Sequence, residues 1–411
     1  MPANIFEKSR NGAGNLLHTK FAKESFALYL SHTIRTFAQA LTGIFLPLYI
    51  LSLTNKPIIY ANTFTNNLAW VLIYYIFRSI SVLVLITPVT NIIFGKLNFK
   101  RSISLSNLTI SLSLIFVLFA DKYFWLIPLT AIAASFDIML YWIPFHLFFI
   151  RKSSDNGQYG KQFGIQLFLT KVASALGPFI GGFIIISFGF PLLFILSIIL
   201  MLSSVIPLVF SVEEHRHGKH NALQIFKKYI SQKSLLGIST AFSIIAFEDV
   251  IYAIIWPLVL FNLTNSFAKL GMITTASVSI SALFAVYIGR NIDKHGKRLI
   301  HKIGIIINSI LYFLRYWVNQ TGLAISIDLG DKINGSLYGV PFNAKTYDIA
   351  KEKHYDSDFM IYREIVMHLG IACGLFIILI LLPLITNYKI LFIILGLLTP
   401  LTYLIHSNKR K

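Results

Sequence analysis

Residues 164–211 read GIQLFLTKVASALGPFIGGFIIISFGFPLLFILSIILMLSSVIPLVFS, and Lys171 is the only charged residue among them. About 20 apolar residues carry a helix across the hydrocarbon core, so this stretch is long enough for two crossings, which we place at 164–187 and 190–211. Working outward, runs of the same kind fall at 25–53, 68–93, 102–120 and 124–150. Beyond the quoted stretch they continue at 235–262, 270–288, 303–318, 322–344, 361–383 and 388–405. The composition agrees: 55% of residues are hydrophobic and 13% charged, whereas soluble domains carry about 25% charged residues. Mean hydropathy is +0.69. The expected fold is therefore an all-α membrane protein of twelve transmembrane helices.

Charge sets the expected orientation. Of the 36 Lys and Arg, 26 lie in segments 1–24, 94–101, 151–163, 212–234, 289–302, 345–360 and 406–411. The alternate loops hold only Lys56, Lys122, Lys269 and Lys389. Basic residues near spans are retained on the cytoplasmic side. Both termini are thus expected in the cytoplasm, with the multi-pass chain in the inner, cytoplasmic membrane. The net charge of +19 is explained by this bias, and no nucleic-acid partner is called for. Residues 1–24 are polar and basic, and the run behind them is too long for a signal h-region. The single cysteine, Cys373, is expected as a small core residue.

The chain reads as a cytoplasmic N-terminus (1–24), a six-helix bundle (25–211), a linker (212–234), a second bundle (235–405) and a tail (406–411). In the linker, Leu223, Phe226 and Ile230 recur opposite Lys227 and Lys228, the pattern of a helix lying on the inner membrane surface. The bundles repeat each other. Tyr141-Trp142-Ile143-Pro144-Phe145-His146 matches Tyr338-Gly339-Val340-Pro341-Phe342-Asn343 at an offset of 197 residues. Phe45-Leu46-Pro47-Leu48 matches Ile255-Trp256-Pro257-Leu258 at an offset of 210. Parallel six-span repeats around a central cavity are a transporter plan.

The loop Gly289-Arg290-Asn291-Ile292-Asp293-Lys294-His295-Gly296-Lys297-Arg298 resembles the signature loop of the major facilitator superfamily. The resemblance implies the fold of that family, with Gly289, Asp293, Gly296, Lys297 and Arg298 forming a cytoplasmic gate. The corresponding loop of the first half keeps its basic end but has Gly95 where the acid is expected. Gly177-Pro178-Phe179-Ile180-Gly181-Gly182 resembles the span-5 motif of the family's antiporters and points toward export. The family pattern is a monomer.

Ionisable groups within spans are expensive and tend to be functional. Here they are Arg35, Arg78, Lys171, Arg315, Lys332 and Arg363 against Asp137, Glu248, Asp249, Asp328, Asp331 and Glu364. The first half is mainly cationic and the second mainly acidic, so the cavity is expected to have a cationic and an anionic wall. Asp137 and the adjacent Glu248 and Asp249 are the proton-coupling candidates. Arg35, Tyr141, Lys171, Asp328 and Lys332 are the substrate-cavity candidates. Tyr141 shares a helix face with Asp137, whereas Trp142 is turned about 100° away from Tyr141. Asp328 and Lys332 are spaced to pair on their own helix. Arg363 and Glu364 fall near the inner end of their span, and His146 and His368 at or near span ends.

There is no P-loop, HExxH or Cys/His cluster. No cofactor or metal is implied, and an enzyme is not expected. The function this sequence suggests is proton-coupled secondary transport of a small organic solute through the lipid bilayer. Lipid flipping, a membrane enzyme and a sensor are the alternatives.

Overall fold

The computed structural model describes residues 27–54, 56–152, 159–210, 218, 220–352 and 356–407. All twelve expected spans fall on helical segments. These are α1 (Ala27–Ser52), α2 (Thr63–Gly95), α3 (Phe99–Phe119), α4 (Leu126–Lys152), α5 (159–188) and α6 (190–203), followed by a short linker helix, α7 (Ala222–Ile230). Then come α8 (Lys233–Thr264), α9 (Phe267–His295), α10 (Lys297–Tyr316), α11 (Thr321–Glu352), α12 (Asp356–Leu381) and α13 (Ile390–Leu398), which tightens into a 3-10 helix over Thr399–His406. Among the described residues, eight helical stretches are long and apolar enough to cross a membrane by length and composition, and one of them, Leu169–Val209, contains parts of both α5 and α6.

Local chemistry sets the boundaries. Asn62, Asn98 and Asn221 cap α2, α3 and α7, each accepting a backbone N–H of the first turn. The quoted run breaks at Gly189, whose φ of +80° is open to glycine without a Cβ penalty, and Pro191 follows. At the far end of α1, Lys56 donates to the carbonyls of Ile50, Leu51 and Leu53, satisfying orphan acceptors there. Burial pushes this ammonium down to about 8.

The connections alternate between two ends of the bundle. At one end Lys100 donates to the carbonyl of Val209, Lys297 to Asp348 and Arg298 to Tyr403. We call this the basic end. The two halves of the chain meet along two seams, α5 against α9 and α2 against α12. The first is a backbone contact. A Cβ at Gly182 would lie 2.3 Å from the carbonyl oxygen of Phe267, and one at Gly271 would lie 2.2 Å from that of Pro178. Gly177 and Gly181 approach α1 at Ala40 and Leu41 in the same way. Close helix approach therefore accounts for the span-5 glycines. Gly271→Val is expected to destabilise the protein by at least about 2 kcal/mol, because neither backbone can yield. Thermal unfolding of purified protein checks this, with Gly322→Ala, which would meet no atom within 4 Å, as control.

Two expectations need correction. Cys373 is exposed on α12 rather than in the core; the helix turns it outward among apolar surface residues such as Phe376 and Ile377. The linker helix covers 222–230 only and buries Ala222, Ile225 and Tyr229 against the protein. Leu223, Lys227 and Lys228 lie exposed, but Phe226 and Ile230 are half-buried against the same protein cluster, so of the predicted membrane-facing stripe only Leu223 is free.

Candidate functional site

A cavity of about 740 Å³ lies between the two halves, lined from α1, α2, α3, α4 and α6 on one side and α8, α11 and α12 on the other. The halves touch beyond both of its ends. Toward the basic end, Val82, Ile86 and Ile143 share an apolar cluster with Phe242, Phe342 and Phe359. At the opposite end the Tyr60 hydroxyl donates to the carbonyl of Leu379 at 2.7 Å, and the rings of Phe64 and Tyr388 lie 5.3 Å apart.

The repeat identified in the sequence supplies part of the lining. Pro144 and Pro341 lie inside α4 and α11, and the related His146 and Asn343 both face the cavity. The charged lining is Arg78, Asp137, Asp249, Arg363 and Glu364. None of the five substrate-cavity candidates is in it. Arg35 is 1% exposed and sealed behind Asp137, which it grips through both carboxylate oxygens at 2.7 and 2.8 Å. Its guanidinium also lies 3.9 Å over the Tyr141 ring, and the Tyr141 hydroxyl meets His32. Asp137 therefore touches the cavity on one side and a buried cation on the other. Sharing a helix face with Asp137 put Tyr141 on the Arg35 side, and Trp142 is the residue that lines the cavity.

Lys171, Asp328 and Lys332 also lie off this cavity. The expected Asp328–Lys332 pair does not form. Asp328 accepts from Trp256 Nε1 at 2.7 Å and Tyr252 at 3.3 Å, while Lys332 donates to Tyr252 and lies 3.6 Å from Asp331. Asp331 is held at 2.7 Å by Arg315, whose guanidinium sits 4.9 Å from the ring centres of Tyr252, Trp256 and Tyr312. These aromatic partners fix Asp328 in place of the lysine one turn away.

The adjacent acids diverge. Glu248 is 1% exposed and accepts from Tyr338 at 2.8 Å and Thr399 at 2.7 Å. Asp249 opens into the cavity and has no ion-pair partner among the described residues. The predicted cationic wall is thus reduced to Arg78, half-buried beside the Tyr75 ring at 4.7 Å. The sequence reading undervalued Arg363 and Glu364. They pair at 2.7 Å inside the cavity, and Arg363 also lies 3.2 Å from His146 Nε2 across the interface. His146 meets Tyr347 at 2.9 Å, and His368 meets Ser79 at 3.2 Å. The signal available was the spacing of Arg363, Glu364, Met367, His368 and Ile371 on one helical stripe; all five line the cavity.

Of the loop motif, Gly296 turns the chain with φ +81° and Lys297 and Arg298 pair with Asp348 and Tyr403. Gly289 and Asp293 fall within α9, and their side chains lie outside the described residues.

No family model and no curated protein matches the sequence. Solved structures do match. A D-xylose-proton symporter aligns at 12% identity and TM-score 0.69, covering 93% of this chain and 96% of that one. A POT family transporter in complex with 5-aminolevulinic acid aligns at 12% identity and TM-score 0.67, covering 93% and 94%. The nucleoside transporter NupG, solved as a point mutant, aligns at 11% and 0.66, covering 94% and 100%. These neighbours are transporters, not enzymes, and the chain is built on the fold they share, that of the major facilitator superfamily.

Proposed function

We propose that this protein is a proton-coupled carrier of a small polar organic solute, working by alternating access between two six-span halves in the cytoplasmic membrane. The observation that carries the reading is the interfacial cavity in which Arg78 and Asp249 lie on opposite halves without ion-pair partners among the described residues. A cation on one side and a carboxylate on the other suit a solute bearing an anionic and a polar or cationic group. Asp249 is assigned the coupled proton. Asp137 is committed to Arg35, and Glu364 to Arg363, so protonating either breaks an ion pair. Asp249 has no pair to lose, and it meets the solute's space directly. The positive-inside bias assigns the basic end to the cytoplasm. The span-5 glycines, occupied in helix packing, lend no weight to either direction.

The test is purified protein in liposomes holding a pH-sensitive dye, challenged with alanine, the dipeptide Ala-Ala, xylose and uridine. Proton movement driven by at least one of them supports the reading. Silence with all four, in protein shown to be folded, overturns it and favours lipid flipping. Arg78→Gln is expected to raise KM for a carboxylate-bearing solute about tenfold or more, the scale of one lost charge-assisted hydrogen bond. KM for xylose or uridine should change little.

A further inference from the structure

Below Asp249, a row of titratable side chains leads away from the cavity to the basic end, entirely within the second half of the chain. Glu248 is its first member. It is buried against Tyr338 and Thr399, and no cation lies within ion-pair distance among the described residues. A buried carboxyl satisfied by hydroxyls and lacking a cation is a place for a proton rather than a charge. Tyr338 is the second member. Its side chain lines the cavity, its hydroxyl lies 2.8 Å from Glu248 Oε2, and its ring centre is 5.6 Å from that of His301.

His301 on α10 is fully buried, and its two nitrogens are in different situations. Nδ1 lies 3.0 Å from His406 Nε2, whereas Nε2 has no hydrogen-bond partner among the described residues. Buried polar atoms are rarely left without a partner, and such exceptions accompany chemical roles. His406 closes the row at the end of the last helical turn. Its ring lies 5.4 Å from Tyr403, whose hydroxyl is held by Arg298 at the basic end.

We propose that Glu248, Tyr338, His301 and His406 form a proton relay between the cavity and the basic end. This rests on the proton-coupled reading above. The proton leaves the Glu248 carboxyl through the Tyr338 hydroxyl, which takes one proton as it passes another to a bridging water, since that hydroxyl and His301 Nε2 are not themselves hydrogen-bonded; the water passes one of its protons on. His301 Nε2 receives it with its free lone pair and His301 releases its Nδ1 proton to His406 Nε2. His406 gives up its own Nδ1 proton to water at the basic end. Each ring gains one proton and loses one and is left in the other tautomer, which has to tautomerise back before the next proton passes. The groups facing the relay are Asp249 on α8, Tyr312 on α10, Lys345 on α11, and Tyr403 and Arg298 around His406. Arg298 and Lys345 place two cations at its mouth, which favour passage of a proton over its storage there.

The measurement compares two activities of the same liposomes, using alanine, Ala-Ala, xylose and uridine as probes. One is solute-driven proton movement. The other is solute counterflow at equal pH on both sides, which needs no net proton release. His301→Phe and His406→Phe are expected to lose at least tenfold in proton movement while counterflow stays within twofold of wild type. His301→Gln, which retains a hydrogen-bonding amide and lacks a titratable ring, is expected to behave like the phenylalanine variant and serves if that one does not fold. Proton movement within twofold of wild type in either folded His301 variant overturns the relay and leaves the carrier reading intact. Equal loss of counterflow and proton movement in folded variants also overturns it, since His301 would then serve the solute step. A wild type silent in both activities removes the carrier reading and the relay together.

Discussion

Asp249→Asn is expected to abolish solute-driven proton movement, by about two orders of magnitude, the scale on which losing a positioned proton-transfer group slows a reaction. Counterflow of a solute without a cationic group should persist, because asparagine preserves shape and hydrogen bonding and removes only the exchangeable charge. The reason lies in the company each acid keeps. Asp137, on the same cavity, is clasped by Arg35 through both oxygens, and Glu364 is paired with Arg363. Asp249 alone among the acids of the lining has no cation at ion-pair distance among the described residues. Its protonation costs no ion pair and is open to influence from whatever solute sits beside it. Proton movement unchanged in Asp249→Asn would transfer the coupling role to another acid of the lining.

The second large effect concerns stability. Arg35→Leu should cost about 3–5 kcal/mol, because it leaves the Asp137 carboxylate buried without its cation. Asp137 is 4% exposed and Arg35 1%, so solvent does little to compensate. The double change Arg35→Leu with Asp137→Leu should recover most of the loss, since replacing both ends of a buried pair by apolar groups is often neutral. Denaturation midpoints of the single and double variants in detergent make the comparison. A single variant as stable as wild type would show that Asn107 and Ser106, which also approach Arg35, hold Asp137 on their own.

The helices were legible because hydropathy is a property of each segment alone. The run at 164–211 needs no partner to be read as membrane-spanning, and its break was legible near Gly189 for the same reason. The site was less legible because a charge within a span can face either a cavity or a sealed pocket. Arg35 and Asp137 are 102 positions apart, and nothing local to either indicates that they meet. Trp142 and Tyr141 show the same difficulty. Helical spacing gave their angles correctly, but Asp137 has two functional sides and spacing does not say which is the cavity. Arg363 and Glu364 were misplaced along the axis instead. Asp356 and Asp358 look like loop residues, yet α12 begins at Asp356, which moves the pair inward from the helix end. Asp328 preferred the indole N–H of Trp256 to Lys332 one turn away, a choice made by a different helix.

The glycine contacts between α5 and α9 have a mechanical consequence. Two backbones in direct touch at Gly182 and Gly271 form a narrow contact in the first turns of α9, pinned by the Thr275 hydroxyl, which donates to the carbonyl of Ala175 and accepts from the N–H of Phe179. The latches lie off this contact: Tyr60 with Leu379 at one rim, Arg363 with His146 toward the other. If the halves rock as the proposed alternating access requires, opening one rim presses the other shut, so only one set of latches has to part at a time. On the alternating-access reading proposed above, the work of switching is then set by what parts at one rim, the Tyr60–Leu379 hydrogen bond at one end and the apolar cluster of Val82, Ile86, Phe242, Phe342 and Phe359 toward the other.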